Sequence, residues 1–116
     1  MEWVEKCWGR TRCLTDTPWY QRHELFVEQG FCSIHYHQNR ANRFHVESGV
    51  IEVHEFFWKR TQVIRLSADM TFDVPSLVVH QFRVIQYGRI FEEYYPDRGG
   101  QIRTDDIIRL HEGSSS

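Results

Sequence analysis

The sequence predicts an all-β domain, a single small antiparallel β-barrel or jelly roll. Short runs rich in β-branched and aromatic residues recur along the chain: "HELFVEQ", "CSIHYH", "RFHVES", "VIEVHEFFW", "TQVIRL", "SLVVHQFRVIQ" and "RIFEEYY". Such side chains fit a pleated, half-buried surface. Turn signals separate the runs at regular spacing: Gly30, "QNRAN", Gly49, "SAD", Pro75, Gly88 and "PDRGG". That alternation of short strands and turns is the pattern of a sandwich or barrel. No stretch carries the apolar period of a convincing helix. The segment "TDDIIRLHE" reads as either one turn or a last strand.

The 116 residues suit one domain, taken as 1–112, with 113–116 of the polar "EGSSS" end as a disordered tail. Hydrophobic residues make up 41% and aromatics 15%, so the chain is expected to be globular rather than disordered. A net charge of −2 gives no basic excess for nucleic acid. Cys7, Cys13 and Cys32 form an odd set with no CxxC pair, which argues against a disulfide framework and a cysteine zinc site. Free thiols fit a reducing cytosol, and a cytoplasmic location is expected. The opening "MEWVEKCWGR" carries charges where a signal peptide needs an apolar run. No segment approaches the roughly 20 apolar residues of a membrane span.

Strand alternation assigns faces. His35 and His37 share one face with Ser33 and Phe31. Across the turn, Asn42, Phe44 and Val46 share a face, with Arg43, His45 and Glu47 opposite. The apolar set marks the interior, so Asn42 is expected to point inward. Later, His80, Phe82 and Val84 share a face, with Gln81 and Arg83 on the other. One interior can therefore hold His35, His37, Asn42 and His80 together.

Two histidines at i and i+2 on one strand point the same way, and a third from a distant strand completes a facial set. Neutral imidazole suits zinc, iron, nickel and copper. Three protein ligands leave positions open for water or substrate, as catalytic metal sites do.

These residues resemble the cupin superfamily. Its first motif, G-x5-HxH-x3–4-E-x6-G, is met by Gly30, His35, His37, Asn42 and Gly49, with the first gap one residue short. Its second, P-x-G-x-x-H, is met by Pro75 and His80, with Leu77 in place of the Gly. Within that superfamily, "SIHYHQNRANRFHVESGVIEV" is similar to the S-L-Q-x-H-H-H-R-A-E-H-W-x-V-x-S-G-x-x-x-V stretch of the cupin-type mannose-6-phosphate isomerases. "VEKCWG" is similar to their R-P-W-G opening and "TDDIIRL" to their E-D-D-I-V-R closing segment. The resemblance runs from Trp8 to Arg109.

The resemblance implies a divalent transition metal, zinc first, with iron, nickel or manganese as alternatives, on His35, His37, His80 and Asn42. It implies a sugar or sugar-phosphate ligand, aldose–ketose isomerisation and a homodimer. The apolar run of Phe56, Phe57 and Trp58 also suggests a sheet-to-sheet contact. Isomerisation needs a base near the reacting carbons. Alignment with the family's I-E-V-Q strand points to Glu92, with Tyr94 on its face and Glu93 opposite. Arg109 matches the family's first closing Arg, a candidate for the phosphate of a substrate. Arg40, on the R-A-E motif, either binds an anion or caps the turn. Trp3, Trp8, Trp19 and Trp58 either stack on sugars or pack. His23, His45, His54 and His111 read as surface or rim residues.

Two departures open other readings. Asn42 stands where the family has a ligating Glu, which leaves a neutral ligand set. The family's D-x-Y-G-R segment after the closing Arg has no counterpart in "RLHEGSSS". A non-catalytic cupin binding a sugar-like ligand is one alternative, and a three-histidine iron dioxygenase is another.

Overall fold

A computed structural model describes residues 2–103 and 105–116. Met1, and Thr104 of the "TDDIIRL" stretch, lie outside the described residues. The described chain forms strands and turns without a helix. The strands are β1 Val4–Lys6, β2 Gly9–Thr17, β3 Tyr20–Val27, β4 Ile34–His37, β5 Arg40–Val46, β6 Val50–Phe57, β7 Arg60–Leu66, β8 Thr71–Val74, β9 Val79–Gln86, β10 Gly88–Pro96 and β11 Ile107–His111. They build two antiparallel sheets, ordered β1-β2-β3-β10-β5-β8 and β11-β4-β9-β6-β7. This is the all-β jelly roll that the sequence predicts.

Each anticipated run forms a strand, and three more appear. β1 and β2 carry no clean apolar alternation because they lie at or next to a sheet edge, and β8 alternates over only four residues, with Phe72 and Val74 turned inward. "TDDIIRLHE" resolves as strand β11, paired to β4 with Ile107 opposite His37 and Arg109 opposite His35. The tail is not free along its whole length. The Phe31 amide donates to the Ser114 carbonyl at 2.7 Å, and the Ser114 amide donates back at 3.0 Å. Phe31 has backbone groups left over just before β4, and Ser114 satisfies them.

The interior is layered. Register places Leu25 opposite Ile90 and Ile90 opposite Val46. In the other sheet Ile51 faces Val84, and Val53 faces Phe82. These residues form one apolar cluster with Phe44, Leu66 and Val74. Two to four residues further along the strands the inward positions turn polar: His23 opposite Glu92, Glu55 opposite His80, and Tyr94 opposite both Gln21 and Asn42. One end of the sandwich is thus a closed core and the other a polar chamber. Hydrophobic burial at the closed end supplies the stability that a polar chamber cannot.

Gly49 turns β5 into β6 with φ of +85°. A Cβ there would sit 2.6 Å from the Tyr87 carbonyl oxygen, so this position takes only glycine.

Candidate metal centre

β4 alternates, and its two inward residues are His35 and His37. β9 brings His80 directly opposite His35. The ring centroids of His35 and His80 are 4.4 Å apart, those of His35 and His37 5.1 Å, and those of His37 and His80 5.7 Å. One ring nitrogen of each lies within 4.8 Å of the others. All three side chains are buried.

Burial disfavours the charged imidazolium. It is the main cause pushing His35 down to about 3, with His80 nearby adding to it. Burial also lowers His37, helped by the Arg40 guanidinium, and lowers His80. The three rings are therefore neutral, as metal ligands must be.

Backbone carbonyls orient two of the rings. His35 Nδ1 donates to the Ser33 carbonyl at 2.9 Å, and His80 Nδ1 donates to the Val78 carbonyl at 2.9 Å. Each carbonyl lies two residues back, on the residue just before the strand begins, and leaves Nε2 with its lone pair free. The Nε2 atoms of His37 and His80 and the Oδ1 of Asn42 are buried without a hydrogen-bond partner among the described residues. Such orphans are rare in a folded interior. A divalent cation would satisfy them, and the donor set, three neutral imidazoles with an amide oxygen beside them, fits one.

Asn42 projects from β5 in the opposite sheet and is fully buried. Its amide nitrogen donates to Glu92 Oε2 at 2.9 Å. Glu92 faces a cavity of about 650 Å³ that also reaches His35, Tyr94, Arg40, Arg109 and Lys6. Burial, then the Glu92 carboxylate, push the Tyr94 phenol well above its usual range. Glu93 points away and accepts the Tyr20 hydroxyl. Arg109 stands opposite His35 in the β4–β11 register, is exposed, and lines the same cavity.

Arg40 does not cap the turn, and it lines the cavity. It is buried, its Nε donates to His37 Nδ1 at 3.1 Å, and its guanidinium lies 4.2 Å over the Tyr94 ring. Asp106 caps the turn instead, accepting the Gln38 and Asn39 amides at 2.7 and 2.9 Å. Of the tryptophans Trp8 reaches the cavity, while Trp19 and Trp58 are exposed and Trp3 packs on Phe26. His23 also lines the cavity, edge-on to Tyr94 at 5.5 Å. Among the other rim candidates, His54 contacts Glu52 and His111 is exposed.

Two acidic residues here were not anticipated. Asp106 is fully buried, and Glu55, opposite His80, is nearly so. Alternation from Ile51 and Val53 points Glu55 inward and could have found it. Asp106 lies in the "TDDIIRL" segment matched to the closing motif, but its role depends on a turn far away in sequence.

Leu77 occupies the place of the second motif's Gly and adopts φ of +69°, a conformation natural to glycine. Its amide donates to the His37 carbonyl at 2.7 Å, which ties this turn to the metal-facing strand.

No protein-family model matches the chain, and no curated protein sequence matches it. Solved structures do. An RmlC-like cupin from Shewanella frigidimarina superposes with a TM-score of 0.69 at 16% identity, covering 84% of this chain and 85% of that one. The fold is a cupin fold. KdgF from Halomonas sp. gives a TM-score of 0.72 at 18% identity, over 84% of this chain and 88% of its own. Oxalate decarboxylase from Bacillus subtilis gives 0.76 at 15% identity, over 94% of this chain. This chain spans only 30% of that decarboxylase. At such identities the likeness is one of fold. The cupin fold, together with the cluster of His35, His37 and His80, fits a metal-binding domain.

Proposed function

We propose that this chain is a metal-dependent sugar or sugar-phosphate isomerase that interconverts an aldose and a ketose. The observation that carries the reading is the Asn42–Glu92 hydrogen bond of 2.9 Å, which holds a carboxylate on the wall of the cavity that His35 lines. The resemblance to cupin-type mannose-6-phosphate isomerases supports the substrate class. Zinc is the proposed metal, with iron, nickel or manganese able to occupy the same ligands, His35, His37 and His80, beside Asn42.

The metal, when bound, would polarise the substrate carbonyl and stabilise negative charge on its oxygen. Glu92 removes the C2 proton and returns it to C1, while the hydroxyl proton passes from O2 to O1. Atoms balance without a co-reactant. The Tyr94 phenol, kept protonated, donates a hydrogen bond to a substrate hydroxyl. Arg109 offers paired N–H donors to an anionic group at the cavity mouth.

A second reading is a non-catalytic domain that binds a sugar-like ligand. Asn42 favours it, since an amide in place of a carboxylate leaves the metal's charge uncompensated. A panel of aldose phosphates, assayed anaerobically with zinc-loaded protein and a chelator control, separates the two. Interconversion that chelation stops supports the isomerase. Ligand-dependent melting shifts without turnover support the binding domain. Oxygen consumption with ferrous iron would replace both with a dioxygenase.

The proposal includes a cytoplasmic homodimer. Three free cysteines support the compartment. Phe57, Trp58 and Val63, exposed on the β6–β7 hairpin, support the contact.

A further inference from the structure

Arg40 lies between two acceptors. Its Nε is 3.1 Å from His37 Nδ1 and 3.4 Å from Asp106 Oδ2. Its Nη1 donates to Gln21 Oε1 at 3.0 Å. A guanidinium has only donors to offer. His37 Nδ1 must therefore accept, and the proton of the neutral ring sits on Nε2. His35 and His80 are the reverse, because carbonyls at their Nδ1 atoms require Nδ1–H and leave Nε2 free. Two acceptors and one donor thus converge where a cation needs three lone pairs.

We propose that Arg40 and Asp106 together set the tautomer of His37, and so decide whether the third histidine is available to a metal. The inference rests on the metal-binding reading of the site. In one state Arg40 Nε holds His37 Nδ1 and the site has two ready ligands. In the other, Arg40 Nε moves onto Asp106 Oδ2, His37 Nε2 gives its proton to water while Nδ1 takes one from water, and Nε2 becomes a ligand. The ring is neutral before and after. Asp106 Oδ2 is buried and has no hydrogen bond among the described residues, so it can receive the donor. Gln21 and the Tyr94 ring hold the rest of the guanidinium in place, and the exchange is a shift of one N–H between neighbours. Arg40 is a positioning residue in this scheme, since it acts through His37.

Long-range proton–nitrogen spectra of ¹⁵N-labelled, metal-free protein report each imidazole's tautomer. The expected result is Nδ1–H for His35 and His80 and Nε2–H for His37, with His37 converting to Nδ1–H when zinc ion is added. A His37 ring already in the Nδ1–H form without metal overturns the proposal. Zinc affinity, measured by competition with a chromophoric chelator, gives a second readout. Arg40→Gln offers His37 an acceptor as well as a donor and is expected to tighten zinc by about tenfold, while Asp106→Asn weakens it by a similar factor. A purely supporting role for Arg40 predicts weaker binding in Arg40→Gln, and that result overturns the proposal. Mixed tautomers in a protein that takes up no zinc would sink the metal reading and the gating role, while leaving the tautomer assignment standing. Should Asp106→Asn fail to fold, the wild-type spectra decide.

Discussion

His35 and His80 face each other across β4 and β9 with ring centroids 4.4 Å apart, and each is aimed by the carbonyl two residues before it. His80 is aimed by backbone alone, while His35 Nδ1 also has the Ser33 hydroxyl at 3.0 Å. The strand backbone that places each ligand also sets its tautomer, which makes these two the most preorganised members of the centre.

Replacing both His35 and His37 by Ala removes two of the three imidazoles. Elemental analysis is expected to fall from about one transition metal per chain to none. Metal content unchanged in the double variant would show that the ion is held elsewhere.

Asn42→Asp places a second carboxylate against Glu92 in a buried site. Like charges there repel, so the metal-free protein is expected to lose roughly 1–3 kcal/mol. A divalent cation neutralises the pair, so the zinc-induced rise in melting temperature grows. Calorimetry with and without zinc measures both changes, and a smaller zinc increment would place Asn42 outside the ligand set.

Leu77→Gly relieves a positive φ at a half-exposed residue, with little apolar burial lost. Stability is expected to rise by about 1 kcal/mol. Denaturant unfolding at constant slope tests this, and a loss would mean that the Leu77 side chain contributes more than its strained backbone costs.

Acid stability follows from the buried histidines. His35 titrates at about 3 when folded, against an ordinary value of 6.5. Between those values the unfolded chain binds the additional proton, so stability is full above 6.5 and falls as pH drops towards 3. The slope is about 1.4 kcal/mol per pH unit for each such group. Bound zinc would postpone the fall. Melting temperatures that stay flat from neutral pH to pH 4 would contradict neutral, buried rings.

Glu92→Gln keeps an acceptor for the Asn42 amide but cannot take a proton. If Glu92 is the base, kcat for aldose–ketose interconversion drops by about 10²–10⁴-fold while zinc content is unchanged. Activity equal to wild type would move the base to another residue.

Strand alternation was enough to put Asn42, Phe44 and Val46 inside, and His80 in line with Phe82 and Val84, because side chains on a strand have only two faces. Pairing of the strands brought Glu55 to His80 and His23 to Glu92. Local pattern says which way a side chain points but not what it meets.

The sequence alone therefore determined the all-β class, the inward faces and the three histidines, since each depends on period-two geometry and turn chemistry within a few residues. The tertiary structure decided what surrounds them: Arg40 on His37, Asp106 beside Arg40, Leu77 in a glycine's conformation, and Asn42 tethering Glu92. Those contacts join strands from both sheets and a distant turn, and only closure of the sandwich brings their polar atoms within hydrogen-bonding reach.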